Sequence, residues 1–247
     1  MPGTWLSRTC CASVASRPSS CRCGRSCLIR PSSRPVSRLA ERYNAITGQL
    51  PSEVSLLAVS KGRPAAAIRE LYGLGQRAFG ESRLQEALAK QESLADLSDI
   101  DWHFIGRLQA NKVRPVLKAF GTIHAVDSLP LAERISRIAI ELQLRPELYL
   151  QLKLLPDANK GGLEPEALES QWPLLQALPS VHWRGVMLIP PLGLSEAELR
   201  ELFCLGARWA DQLGLEGRSM GMSSDWPLAA ECGSRIVRVG SSLFGHD

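Results

Sequence analysis

The sequence lacks any apolar run long enough to cross a bilayer, and tyrosine is scarce. The longest apolar candidate, Val186 to Leu194, is shorter than the about 20 residues that a membrane helix needs, and Pro190-Pro191 interrupts it. Only three of the 247 residues are tyrosines, whereas 45% are hydrophobic. A chain of this size and composition can bury a large core, so we predict a soluble globular protein with no membrane span.

Common phosphate-binding and metal-binding motifs are also missing. The chain has no Walker A lysine and no His-Glu-x-x-His pair. Its four histidines are scattered along the sequence, and its cysteines do not form paired Cys-x-x-Cys units. We therefore expect no metal site.

Acidic residues are absent from the first 40 positions, which hold seven of the 29 basic residues and five of the seven cysteines. The remainder therefore carries a small net negative charge, which argues against a nucleic-acid-binding surface. Residues 1–35 are predicted to be a disordered Arg/Ser/Cys-rich leader. This leader is either a mitochondrial transit peptide or, as we favour, sequence upstream of the true start. The expected location is cytoplasmic, or mitochondrial if the leader is a transit peptide.

Residues 36–247 alternate between strand-like and helical patterns. The pattern predicts one helix at Val36 to Gly48 and then eight strands separated by seven helices. Eight such units in one domain favour a single (β/α)8 TIM-type barrel of the α/β class, with the extra N-terminal helix closing the outer ring. The predicted strands are Ser55 to Lys61, Ala78 to Glu81, Asp101 to Gly106, Thr122 to Asp127, Leu148 to Leu155, His182 to Ile189, Arg218 to Ser223 and Arg235 to Val239.

The first strand ends on Lys61, and an ammonium at the end of a buried strand needs a charged or covalent partner. In a barrel, strand one lies beside strand eight, which runs through Arg238 to Gly240 and Ser241. Glycine and serine after strands seven and eight are typical of a phosphate cradle. A lysine that faces a phosphate site suggests pyridoxal 5′-phosphate, whose aldehyde reacts with a deprotonated amine. Arg238 on the inner face is then expected to approach the pyridine nitrogen.

Residues 36–246 resemble the YggS/PROSC family of pyridoxal-phosphate homeostasis proteins, whose fold is similar to the barrel domain of alanine racemase. The matching motifs occur in family order: Ala58-Val59-Ser60-Lys61, Phe79-Gly80-Glu81, the run from His103 to Lys112, Arg184-Gly185-Val186-Met187, Gly221-Met222-Ser223 and Arg238-Val239-Gly240. The resemblance implies that Lys61 forms the Schiff base. It also implies that Met222, Ser223, Gly240 and Ser241 bind the cofactor around its phosphate, and that Arg238 meets the ring nitrogen.

Three positions depart from or qualify the family pattern. Ser82 stands where the family commonly has Asn, so an amide contact near the cofactor is lost. Lys153 replaces the Asn of a frequent Gln-x-Asn on strand five, and it is either a second cation near the cofactor or, as we favour, a solvated charge. Lys160 matches the family's Lys-x-Gly, and a flexible loop charge is the default interpretation.

Two functions from different classes remain open. The resemblance implies a non-catalytic carrier that maintains vitamin B6 homeostasis and passes the cofactor to apoenzymes, and we expect a monomer. The alternative is a racemase-like enzyme, which needs an acid/base group on each face of the substrate carbon. In alanine racemase a tyrosine from an additional domain serves the second face, and that domain is absent here. We therefore favour the carrier. A barrel aldolase is disfavoured because strand six ends without a lysine.

Overall fold

The computed structural model describes residues 37–157 and 160–245. The predicted leader, with its five cysteines, lies outside the described residues. No helix of the described part is long and apolar enough to cross a membrane.

The described residues contain eight parallel strands that close into a barrel in chain order, from β1 to β8. This arrangement confirms the predicted (β/α)8 fold, because every strand is hydrogen bonded to the next and β8 returns to β1. The strands are β1 Ser55–Val59, β2 Ala78–Glu81, β3 Asp101–Phe104, β4 Thr122–Val126, β5 Glu147–Leu152, β6 His182–Leu188, β7 Gly217–Ser219 and β8 Ile236–Val239.

An outer layer of helices surrounds the strands, with a short 3₁₀ turn, Ala110–Lys112, ahead of α4. The N-terminal helix packs against the second and the last helix, so it fills the place in the ring that the sequence predicted. A one-turn helix after β8 was not predicted. The helices are α1 Arg38–Thr47, α2 Ala65–Gly73, α3 Leu84–Ser93, α4 Val113–Ala119, α5 Leu129–Leu142, α6 Pro165–Gln176, α7 Glu196–Gln212, α8 Trp226–Glu231 and α9 Ser241–Phe244.

Alternation along β5 separates the two cores of the barrel. Leu148, Leu150 and Leu152 pack outward against the helices, whereas Tyr149 points into the barrel and packs with Met187. A strand of a closed barrel buries both faces, one in the lumen and one under the helices. The lumen is therefore filled by side chains below the mouth where a site can form.

Six of the eight predicted strands end earlier than expected, and two of these differences affect the carboxyl end of the barrel. The first strand stops at Val59, so Lys61 lies in the loop that follows. The seventh stops at Ser219, and Gly221 then adopts a φ of 90°. A Cβ on Gly221 would lie 2.6 Å from Ala229 Cβ, so the turn into α8 requires glycine both for its φ and for space.

The close approach of β6 and β7 at Gly185 provides a test of the fold. A Cβ on Gly185 would lie 1.9 Å from the Gly217 carbonyl oxygen, which is backbone and cannot rotate away. We expect Gly185→Ala to lower the free energy of unfolding by about 2 to 3 kcal/mol, measured by urea denaturation. In the matched control, Gly73→Ala, the new methyl group meets nothing within 4 Å in α2 and should be neutral or stabilising by up to about 1 kcal/mol. Equal stability of the two variants would show that the strands do not approach this closely.

Candidate cofactor site

A cavity of about 410 Å³ opens at the carboxyl ends of the strands. Polar groups and apolar walls both line it. Its lining residues are Val59, Lys61, Ser82, Ile105, Met187, Ile189, Met222, Ser223, Ser224, Arg238, Gly240 and Ser241. The six residues predicted from the sequence, Lys61, Met222, Ser223, Arg238, Gly240 and Ser241, are all among them.

Of the remaining wall residues, Ser82 was expected near the cofactor, and the other five were not predicted as part of the site. Most are apolar, and period-two alternation carries a usable signal for them. Val59 precedes Lys61 by two positions and Met187 precedes Ile189 by two, so an alternating pattern continued past the ends of β1 and β6 places each pair on one side. Ser224 follows the predicted Ser223 directly.

Lys61 lies at the rim of the cavity and is exposed. The expectation that its ammonium ends a buried strand is therefore wrong, because the backbone leaves β1 two residues earlier. The placement beside β8 is as predicted, since Leu57 and Ala58 pair with Arg238 and Val239. The amine is thus accessible from solvent and close to the β8 end of the site.

A buried ion cluster anchors the backbone on both sides of Lys61. Lys90 on α3 donates to the Ser60 carbonyl at 2.7 Å, to Glu81 Oε1 at 2.7 Å and to Glu86 Oε1 at 2.6 Å. Ser60 Oγ donates to Glu81 Oε1 at 2.7 Å, and Glu86 also accepts from the Gly62 amide. The residues that flank Lys61 are therefore tied to α3 and β2.

The cluster keeps two carboxylates around one ammonium. Glu81 is fully buried, and burial raises its pKa although the hydrogen bonds from Lys90 and Ser60 work in the opposite direction. Glu81 Oε2 is buried and makes no hydrogen bond within the described part of the chain. Lys90 supplies the positive charge that pairs with Glu81, because a buried carboxylate without such a partner lowers the free energy of unfolding by several kcal/mol.

Hydroxyl and amide donors converge at the ends of β7 and β8. Ser223 Oγ accepts from the Gly240 amide at 3.1 Å and from the Ser242 amide at 3.4 Å. The side chain of Asp225 accepts from the Met222 amide at 2.6 Å and so fixes the loop that carries Ser223. This corner of the cavity supplies hydroxyl and amide groups that can donate hydrogen bonds to a phosphate monoester.

Arg238 is 5% exposed and points into the barrel beneath the mouth. Its guanidinium donates to the Ser219 carbonyl, to Ser219 Oγ at 2.8 Å and to the Leu188 carbonyl at 2.6 Å. These acceptors are all neutral. Burial lowers the pKa of Arg238 to about 10, so it remains a cation at neutral pH. The site therefore has a buried positive charge that can meet an acceptor on a ligand.

The structure also shows the surroundings of Ser82, Lys153 and Lys160, the three positions that depart from or qualify the family pattern. Ser82 lines the cavity. Lys153 forms an ion pair with Glu164 at 3.1 Å and is 24% exposed, so it is neither freely solvated nor part of the cavity wall. Lys160 donates to the Pro190 carbonyl and lies 3.4 Å from Asp157, which makes it less free than a flexible loop charge.

Comparisons with known proteins agree with this geometry. A family model described as the N-terminal domain of alanine racemase matches residues 36–247. A pyridoxal phosphate homeostasis protein of Synechocystis sp. is 45% identical over 209 residues, covering 82% of this chain and 96% of the relative. The corresponding protein of Pseudomonas aeruginosa is 41% identical over 218 residues, covering 85% and 91%.

A solved structure gives a further match. PipY of Synechococcus elongatus, described with PLP bound, is 51% identical with a TM-score of 0.81, and the match covers 84% of this chain and 100% of PipY. The chain belongs to the family of pyridoxal phosphate homeostasis proteins. The resemblance read from the motifs is thereby confirmed.

The donor set of the cavity fits the cofactor of this family. Pyridoxal 5′-phosphate has an aldehyde, a flat aromatic ring with a basic nitrogen, and a phosphate. The cavity offers an amine at Lys61, serine hydroxyls at one corner and the Arg238 cation, while Val59 and Met187 are among the apolar side chains that can cover a ring. Among the lining residues no carboxylate opposes the phosphate.

The ion cluster behind Lys61 yields a prediction on stability. We expect Lys90→Met to lower the free energy of unfolding by about 3 kcal/mol or more, because Glu81 is left buried and unpaired. Urea denaturation measures this loss. The control, Lys118→Met, removes an exposed lysine of α4 and should change stability by less than about 0.5 kcal/mol. Similar small effects in both variants would contradict the structural role of the cluster.

Proposed function

We propose that this chain binds pyridoxal 5′-phosphate in the cavity as a Schiff base with Lys61 and serves as a non-catalytic carrier in vitamin B6 homeostasis. The observation that supports this most is the meeting of Lys61, Arg238 and the Ser223 corner in one cavity. The cofactor supplies an aldehyde that amines capture reversibly. Relatives named for pyridoxal phosphate homeostasis and a PLP-bound PipY structure give further support.

Each part of the cavity has a role in the proposal. Ser223, Gly240 and Ser241 hold the phosphate through hydroxyl and amide donors. Met222, between Gly221 and Ser223, lines the cavity from the loop after β7. Arg238 donates to the ring nitrogen, and a guanidinium there keeps that nitrogen unprotonated, which weakens the ring as an electron sink.

The composition of the cavity wall favours a carrier over the racemase-like alternative. Among the described residues, the ionisable side chains that line the cavity are Lys61 and Arg238. Tyr149 is buried in the lumen, where burial raises its pKa to about 12, and it does not line the cavity. Tyr43 and Tyr72 lie on α1 and α2. A two-base racemisation would need a further acid/base group on the opposite face of the substrate.

The proposal also covers partners and location. We propose that the protein acts as a monomer in the cytoplasm and delivers the cofactor to apoenzymes. The exposed Lys61 supports delivery, because water and an incoming amine can both reach the covalent link.

The first prediction of the proposal concerns the covalent link. Lys61→Ala should abolish the adduct that borohydride traps, because Lys61 is the lysine that lines the cavity among the described residues. In the parent protein we therefore expect the adduct on Lys61. The barrel should stay folded, since the Lys61 side chain is exposed. Peptide mapping and the absorbance spectrum measure the adduct, and thermal unfolding checks the fold. Lys153→Ala is the matched control and should keep the adduct. An adduct mainly on Lys153 or Lys160 would overturn the assignment.

The second prediction separates carrier from enzyme. With amino acids in heavy water, the loaded protein should exchange the α-proton no faster than free pyridoxal phosphate. The reason is that, in the described part of the chain, Lys61 and Arg238 are the ionisable side chains that line the cavity. It should transfer the cofactor to an apoenzyme in parallel. Proton NMR follows the exchange, and recovery of apoenzyme activity follows the transfer. Multiple-turnover exchange far above the free-cofactor control would favour the enzyme instead.

A further inference from the structure

Two buried histidines, His103 on β3 and His124 on β4, touch inside the barrel. Nδ1 of His103 lies 2.8 Å from Nε2 of His124. On one side, His103 Nε2 lies 2.8 Å from Asp101 Oδ2. On the other, His124 Nδ1 lies 2.9 Å from Ser219 Oγ, which also accepts from Arg238. These five side chains form one continuous row of hydrogen bonds, which we call the Asp101–Arg238 relay.

Two familiar roles for such a row do not fit. The described residues contain no group of three His, Cys, Asp or Glu side chains that could hold a metal ion, so the histidine pair is not a metal site. Residues 217–221 have the Gly-x-Ser-x-Gly spacing of a hydrolase nucleophile. Ser219, however, is fully buried at the end of a strand and accepts from a guanidinium, whereas a nucleophile elbow exposes its serine at a strand-to-helix turn.

The direction of the relay follows first from the Arg238 end. A guanidinium only donates, so Ser219 Oγ must accept from Arg238. Among the described residues, His124 Nδ1 is the one acceptor within reach of the serine hydroxyl hydrogen, so we assign Ser219 as the donor and Nδ1 as the acceptor. Burial holds the pKa of His124 well below its usual range, so the ring is neutral and carries its single hydrogen on Nε2. His124 therefore donates to His103.

The Asp101 end requires the same direction. The hydrogen bond with His103 lowers the pKa of Asp101, so its carboxylate accepts from His103 Nε2–H. With His103 Nε2 turned to Asp101, Nδ1 of His103 faces the Nε2–H of His124 across 2.8 Å and is the acceptor of that contact. Both ends thus select the Nε2–H tautomer at both histidines, and every donor in the row points from Arg238 toward Asp101.

The relay spans the barrel from the cavity to the opposite end. Asp101 is exposed where β3 begins, at the end remote from the cavity. The Tyr149 ring stacks on His124 with a centroid distance of 4.4 Å and an interplanar angle of 13°, which fixes the plane of the middle ring. One of the three hydrogen bonds of the Arg238 guanidinium, the one to Ser219 Oγ, is thereby connected to groups on the other side of the barrel, while the Ser219 and Leu188 carbonyls accept the other two.

We propose that Asp101, His103, His124 and Ser219 are positioning residues that orient Arg238 toward the ring nitrogen of the bound cofactor, with Asp101 setting the direction of the hydrogen bonds. The inference rests on the proposed function for the identity of the ligand. The relay itself does not depend on it, so the two can fail separately.

The test uses the full-length protein with and without pyridoxal 5′-phosphate. Asp101→Asn removes the charge at the exposed end of the relay. Glu147→Gln is the matched control, because it neutralises another carboxylate at the same end of the barrel, the partly exposed one that begins β5. His103→Leu interrupts the relay, and His103→Gln should rescue it, because an amide offers both a donor and an acceptor. Thermal unfolding reports whether each variant folds.

Without the cofactor, nitrogen-15 NMR reads the histidine tautomers and the Arg238 guanidinium. We expect Nε2–H at both His103 and His124 in the parent protein. Asp101→Asn should shift the Arg238 resonances, whereas Glu147→Gln should not. An Nδ1–H tautomer at either histidine, or equal shifts in the two carboxylate variants, would overturn the relay whether or not the cofactor binds.

With the cofactor, Asp101→Asn should weaken its binding about three- to ten-fold and shift its ring-nitrogen resonance, as expected when one oriented hydrogen bond is disturbed. His103→Gln should bind like the parent protein. If the Arg238 resonances move as expected but binding and ring-nitrogen shifts equal those of Glu147→Gln, the relay does not position Arg238 for the cofactor. Failure of the parent protein to bind the cofactor would instead overturn the proposed function.

Discussion

β1 and β8 are hydrogen bonded in parallel, and this pairing both closes the barrel and assembles the site. Leu57 pairs with Arg238, and both side chains point into the lumen. Continuing along the two strands brings Val59 beside Gly240, where a Cβ would lie 3.4 Å from Val59 Cβ. Lys61 then follows at the rim. Residues separated by most of the chain thus share one cavity because the sheet has no free edge.

The barrel compensates its two most buried cations in opposite ways. Lys90 forms ion pairs with the carboxylates of Glu81 and Glu86, so its charge is compensated within the protein. Within residues 37–157 and 160–245, Arg238 has only neutral acceptors in direct contact. Burial lowers its pKa, and Asp225 in the neighbouring loop partly offsets this effect. A buried cation that lacks an ion pair costs desolvation energy unless a ligand provides an acceptor. The first cation therefore stabilises the scaffold, and the second remains available to the site.

The sequence was sufficient for the barrel, and the six predicted residues line one cavity, because alternation and the motifs of the resembled family are both local features of the sequence. Alternating hydrophobicity located the eight strands, and the fold rule that sites form at strand ends located Lys61, Arg238 and the Gly240 region. Predicting the wall residues on β6 requires knowing which face of the strand points inward. Alternation identifies that face only when the register of the strand is known. The exposure of Lys61 was misjudged because pattern alone does not mark where β1 leaves the sheet.

The polar interior could not be predicted by the same means. His103 and His124 looked scattered along the sequence, yet they meet because β3 and β4 are neighbours, with His103 paired to Thr122. Ser219 joins them across the lumen from β7, and no sequence spacing encodes such a contact. Lys90 reads as a helix-surface charge, because a single residue on α3 does not reveal that its long side chain reaches inward to β2.

The contrast between a fixed interior and an exposed amine bears on what the cavity is built to do. The cation and the loop donors of the site are fixed by hydrogen bonds to β6, β7 and β8. Lys61, in contrast, has a side chain open to water while its backbone neighbours Ser60 and Gly62 are anchored. Enzymes that stabilise reactive carbanions exclude water from the reacting carbon. A carrier has the opposite need, because release requires water or another amine to reach the link. The proposed binding mode, with fixed donors for ring and phosphate and an accessible amine, therefore suits storage and transfer better than turnover.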